Sequence, residues 1–152
     1  MGTCRADRPR WSVIAAAATI VLCGWVPGVL ADPASDHQLQ VLAGQGDANA
    51  QWMLGQALLT GSLGTTDGGE AVRWLQLAAD QGHALAQRDL GLLYEQGQGV
   101  TQDRLEAFFW YSMASRQDSG RARLRRDALA ETLTPDQREV IVARMKAWRP
   151  KR

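Results

Sequence analysis

The 152-residue sequence is short of the residues that most site chemistry needs. It has two cysteines, Cys4 and Cys23, both within the first 31 residues. Two sulfurs cannot build a disulfide scaffold or a four-cysteine zinc site. Its two histidines, His37 and His83, stand 46 residues apart with no Cys/His metal spacing. It lacks an excess of either charge: 17 Lys+Arg against 16 Asp+Glu leave a formal +1. The whole chain therefore gives no electrostatic reason to bind nucleic acid or a membrane surface. The length fits one domain, and a hydrophobic fraction of 45% argues against wholesale disorder.

One long apolar run exists, and it lies at the start. Arg5, Arg8 and Arg10 precede residues 11–26, which carry no charge, and Pro27-Gly28 and Val29-Leu30-Ala31 follow. A basic start, an apolar stretch and small or modest side chains before a cut are the layout of a secretory signal peptide, here cut after Ala31. Sixteen apolar residues are short for a bilayer core, which needs about 20. Uncleaved, the segment would tether the chain to the membrane. Leu22 stands where lipoprotein signals have a small residue, which speaks against Cys23 as a lipidation site. Segment 1–31 thus reads as an address, and residues 32–152 as a periplasmic or secreted product without cysteine. Charge in that product is segregated. Residues 32–118 hold 4 basic and 11 acidic side chains, and residues 119–152 hold 10 and 4. Solvated faces at either end account for this without a nucleic-acid partner.

The remaining sequence repeats itself. Residues 47–82 set above 83–118, without a gap, are identical at 13 of 36 positions. The identities include Ala50/Ala86, Gln51/Gln87, Leu54/Leu90, Gly55/Gly91, Gly61/Gly97, Asp67/Asp103, Glu70/Glu106, Trp74/Trp110 and Gln81/Gln117. A repeat of this period implies stacked supersecondary units. Each unit reads as two helices. In the first, 48–60, positions 50, 54, 55 and 58 are apolar or small at helical spacing, and Gly61 is a C-terminal stop. Asp67-x-x-Glu70 and Asp103-x-x-Glu106 then resemble capping boxes, in which the Glu reaches back to the cap. Ala71, Trp74, Leu75 and Ala78 line the second helix. Small residues at these spacings let two backbones approach closely, and a tryptophan fills the gap to a neighbour.

The flanks read as partial units. Residues 35–43 are expected to form a leading helix within a cap at 32–46. Repeats at 47–82 and 83–118 follow, and residues 119–152 form a diverged closing helix pair. Its first helix covers 120–132, and the second, 135–148, starts at Thr134-Pro135-Asp136-Gln137. Pro150-Lys151-Arg152 should fray.

These residues resemble the Sel1-like repeat family, a branch of the tetratricopeptide-like solenoids. The second unit carries its pattern as Ala86, Leu90-Gly91, Tyr94, Gly97-Gln98-Gly99-Val100, Asp103, Ala107, Trp110 and Ala114. The first carries Leu54-Gly55, Gly61, Asp67, Ala71, Trp74, Ala78-Ala79 and Gln81-Gly82, but has Ser62-Leu63-Gly64 in its loop and Leu58 in place of Tyr. The resemblance implies an all-α, right-handed α/α superhelical solenoid of about two full repeats with partial capping helices at both ends. It also implies an adaptor that binds other proteins, with the first helices of its repeats lining a concave face.

No catalytic constellation stands against that reading, and neither an enzyme nor a cofactor is expected. The sequence has no nucleophile-elbow pattern. Its glycine-rich loops lack the lysine of a phosphate loop and read as turns. Glu70 and Glu106 are explained by capping. Phe108-Phe109-Trp110-Tyr111 spread around a helix and are assigned to the core rather than to a stacking platform. With Ala50, Leu54 and Leu58 as the buried stripe, Asn49, Trp52, Met53 and Gln56 fall on the other side of the first helix. Leu85, Arg88, Asp89 and Leu92 are their equivalents. These eight form the expected protein-binding face, an apolar groove flanked by Arg88 and Asp89, in which Trp52 is either an interface anchor or packed on helix 35–43. The sequence therefore reads as an exported monomeric adaptor for another envelope protein or peptide, without nucleic acid or metal. Two alternatives remain open: a cell-wall or polysaccharide hydrolase on a helical scaffold, and a structural subunit of an envelope complex.

Overall fold

A computed structural model of the chain describes residues 33–117 and 120–151. The expected signal segment and its cut lie outside the described residues. Among the described residues there are seven α-helices and no strand: α1 (Pro33–Gly44), α2 (Ala48–Thr60), α3 (Gly68–Asp80), α4 (Ala84–Gln96), α5 (Arg104–Ser115), α6 (Gly120–Ala130) and α7 (Pro135–Ala147). None is long and apolar enough to cross a membrane. The fold is an all-α helical repeat. Helices α2/α3 and α4/α5 form two hairpins, and the stack is continued by α1 on α2, α3 on α4 and α5 on α6.

The identities between the units have packing reasons. A Cβ at Gly55 would stand 2.7 Å from Leu75 Cγ, and one at Gly91 would stand 2.8 Å from Tyr111 Cδ1. Each hairpin thus closes by setting a large, fully buried side chain of its second helix onto a glycine of its first. Gln51 and Gln87 are buried in the core, and each recurs with its partners 36 residues on. Gln51 Nε2 donates to Ala43 O (3.1 Å), and Gln87 Nε2 donates to Ala79 O (3.1 Å). Gln81 Nε2 donates to Gln51 Oε1 and Gly46 O, and Gln117 Nε2 donates to Gln87 Oε1 and Gly82 O. The amides add a second bond to carbonyls at the end of the preceding helix, where Ala43 O and Ala79 O also accept from the Gly46 and Gly82 amides, so each junction is tied by side chain and backbone together.

The caps differ in one respect from the expectation. Asp67 and Asp103 do accept from the Glu70 and Glu106 amides at 3.0 and 3.1 Å, but neither glutamate reaches back. The cap amides are already used: Asp67 N–H donates to Leu58 O and Asp103 N–H to Tyr94 O, across the hairpin loop. Glu70 is thereby free to pair with Arg73, and Glu106 with Arg144. A reciprocal capping box occurs at Thr134 and Gln137. At Gly99, φ is +74°, and a Cβ there would overlap the Gly68 carbonyl. Two glycines therefore let the second hairpin loop lie on the first turn of α3.

Helix α5 is buried from Ala107 to Ser115, including Phe108, Phe109, Trp110 and Tyr111. Its neighbours explain this. It touches α4 on one side and α6 on another, while α7 lies across it. Helix α7 does not repeat the hairpin with α6; it packs chiefly on α5. Ile141 is buried there, and Arg144 stands 4.0 Å above the Phe109 ring while pairing with Glu106. Beyond α7 the chain runs back to the end of α3. Lys151 N–H donates to Asp80 O at 2.8 Å, and its Nζ pairs with Asp80 Oδ2 at 2.7 Å. Lys151 is thus tied down, not frayed as its sequence suggested.

Candidate protein-binding surface

The first helices of the repeats, α2 and α4, carry the eight residues assigned from sequence. Their N-termini are set by equivalent caps of different chemistry. Asp47 accepts from the Ala50 amide at 2.7 Å. His83 occupies the same register in the second repeat, and its Nδ1 accepts from the Ala86 amide at 3.2 Å. That bond assigns the ring proton to Nε2, which faces Asn49 Oδ1 at 2.9 Å. Burial holds the His83 pKa below its ordinary 6.5, against the opposing pull of Asp89 and Asp47. The neutral ring is the form that caps α4.

Around His83 the structure brings five of the eight residues into one junction. The Trp52 ring stacks on the imidazole, with centroids 5.4 Å apart and planes at 28°. Its Nε1–H donates to Asp89 Oδ2 at 2.8 Å, and Gln56 Nε2 donates to the same oxygen at 2.5 Å. Arg88 donates from Nε and Nη2 to Asp89 Oδ1 at 2.7 and 2.6 Å. Asp89 is only 6% exposed, so it does not flank an open groove. It is a buried carboxylate with both oxygens used, and it ties α2 to α4. Trp52 is half-buried against the main core cluster and not against the smaller cluster around Ala43 and α1.

The remaining three residues are arranged differently. Met53 and Leu85 are exposed, by 52% and 38%. Leu92 is partly covered by the core. The surface is thus a pair of apolar side chains beside a braced polar seam. Helix α6 adds Leu124, 74% exposed, and Arg125, whose Nη1 pairs with Glu95 at 3.1 Å. Glu95 also accepts from the Tyr111 hydroxyl at 2.7 Å. Burial and that bond raise the Tyr111 pKa, so the phenol stays protonated. His83, Glu95 and Arg125 were missed from sequence. The signal for His83 was its place 36 residues after Asp47, a cap position that a ring nitrogen can fill.

The architecture, the recurring close contacts and the family comparison coincide. The Sel1 repeat family matches residues 48–83 and 84–119. The chain carries two Sel1 repeats. Solved Sel1-type structures resemble it as well. One is c5321, a protective antigen present in uropathogenic Escherichia coli strains and displaying an SLR fold, with 31% identity and a TM-score of 0.69 over 75% of this chain and 25% of that one. Another is a Sel1 repeat protein from Oxalobacter formigenes, with 28% identity and a TM-score of 0.54 over 64% of this chain and 46% of that one. The chain therefore spans a quarter of the first structure and under half of the second. No curated protein matches it. Sel1 repeats generally serve as scaffolds for protein–protein interaction.

Proposed function

We propose that this chain is an exported Sel1-repeat scaffold that binds a peptide or domain of another envelope protein across α2 and α4. The observation carrying this reading is that Met53 and Leu85 stay exposed on the two helices that Asp89 ties together through Trp52, Gln56 and Arg88. Apolar side chains held on a rigid support are what a docking partner can bury without first ordering the surface. Export rests on the basic-then-apolar layout of residues 1–31, and the scaffold role on the repeats. No reaction is assigned to the surface: its one buried carboxylate is neutralised by Arg88, and its histidine is spent on capping.

The test has two parts. Mass spectrometry of the protein recovered from envelopes should find a mature N-terminus at Asp32. In crosslinking from intact envelopes, Met53→Glu with Leu85→Glu should abolish the partner band given by the parent protein. Both residues are exposed, so the fold should survive, with an unchanged circular dichroism spectrum. Recovery of the same partner by the double variant would refute the assignment of this face.

A further inference from the structure

A second surface is built by α5, α7 and the chain beyond α7. The last turn of α5, one face of α7 and residues 148–150 enclose an open cavity of ≈ 840 Å³. On α7, Val142, Met145 and Lys146 follow the i, i+3, i+4 spacing of a single helix face, and Arg149 follows in the extended chain beyond the helix. Met113 and Arg116 face them from α5, and Trp148 closes the end. The lining joins the apolar Met113, Val142, Met145 and Trp148 to the cationic Arg116, Lys146 and Arg149, and no acidic residue is among the described residues of it. Arg149 is committed to local carbonyls, with Nη1 donating to Lys146 O and Trp148 O at 2.7 Å. Arg116 and Lys146 have no ion-pair partner among the described residues, although Glu70, Asp80, Glu95 and Glu106 each hold a cation elsewhere.

From this we infer that the α5/α7 cavity binds an acidic peptide segment of a partner protein, with an apolar side chain between Met113, Met145 and Trp148 and carboxylates on Arg116 and Lys146. Charge complementarity selects the occupant: two unpaired cations flank an apolar floor, and methionines give that floor an adaptable shape. A bilayer surface fits less well. The exposed Val140 and Val142 are two residues apart, 200° around the helix, and so make no common face to lay on lipid. The inference does not depend on the α2/α4 face.

The experiment uses purified protein with ¹³C-labelled methionine methyl groups and a fluorescein-labelled peptide of glutamates and aspartates around one phenylalanine. The Met113 and Met145 signals should move on titration while Met53, which reports the other face, stays in place. Anisotropy should give a Kd that weakens at least about tenfold in Arg116→Glu/Lys146→Glu. The neutral pair Arg116→Gln/Lys146→Gln should fall between, with thermal midpoints close to the parent. The same peptide with lysine at each acidic position should not bind. Equal binding of the lysine peptide, no binding of the acidic one, or a shift confined to Met53 would overturn the inference. So would concentration-dependent shifts of Met113 and Met145 without peptide, which would make the occupant a second copy of the chain. If the α2/α4 reading fails and this one holds, Met113 and Met145 still respond to peptide while the crosslinked band survives the Met53/Leu85 change.

Discussion

His83 joins two jobs in one ring: it caps α4 through Nδ1 and meets Asn49 through Nε2, with Trp52 stacked against it. Protonation removes the acceptor that the Ala86 amide uses. Because the folded state depresses this pKa, the unfolded chain binds more protons between the folded value and 6.5. The contribution is therefore complete above pH 6.5 and declines as pH falls through the depressed value. Urea unfolding at pH 7.5 and 5.0 should show a larger loss for the parent than for His83→Asn, which keeps a capping acceptor but does not titrate. The glycine contacts give a second test at this scale. Gly91→Ala gains helix propensity of about 1 kcal/mol but pushes a methyl into the buried Tyr111 ring, so a net loss of about 1–2 kcal/mol is expected. Gly44→Ala, with nothing within 4 Å, should be neutral or slightly stabilising in the same measurement.

At the scale of elements, the helices were legible, and the way the closing ones pack was not. Helix α2 occupies residues 48–60 as read from the spacing of Ala50, Leu54 and Leu58, because local periodicity and a glycine stop determine it. Gln51 and Gln87 stood out only as identities; their reason is a bond to a carbonyl eight residues back, which spacing does not reveal. The Trp52–Asp89 bond lies 37 residues apart, one beyond the repeat, so the periodic pattern carried no sign of it. The eight expected surface residues accordingly divided into five in a braced junction, two exposed side chains and Leu92 partly covered by the core. Helix α7 occupies 135–147 where 135–148 was expected, but the sequence did not say what it docks on. Its partner is α5, through Glu106 and Phe109, and no repeated motif encodes that contact. Arg144→Ala should remove a half-exposed ion pair and a ring contact together, costing about 1 kcal/mol. Hydrogen exchange should speed up in α7 amides while α2 and α3 remain as in the parent.

For residues 33–151 taken together, stability should grade along the stack, because α1 to α4 lean chiefly on their neighbours while α5 is also covered by α7. Among its described side chains helix α1 contributes one fully buried residue, Ala43, whereas α5 is enclosed by three helices. Native-state hydrogen exchange should find α1 opening first, α5 last, and the two hairpins between. The charge gradient runs the same way: 11 acidic and 4 basic residues in 32–118, against 4 and 10 in 119–152. Part of it is neutralised internally, since Glu95, Glu106 and Asp80 take Arg125, Arg144 and Lys151 from the basic end.

The strap from Lys151 to Asp80 also decides where such an array can lengthen. A duplicated 36-residue module spliced in ahead of Asp47 would find the same carbonyls waiting for its glutamines and would leave everything downstream undisturbed. The same module placed after Gln117 would part α5 from α7 and undo the buckle across the second repeat. Growth of this lineage by tandem copying is therefore open on one side and shut on the other.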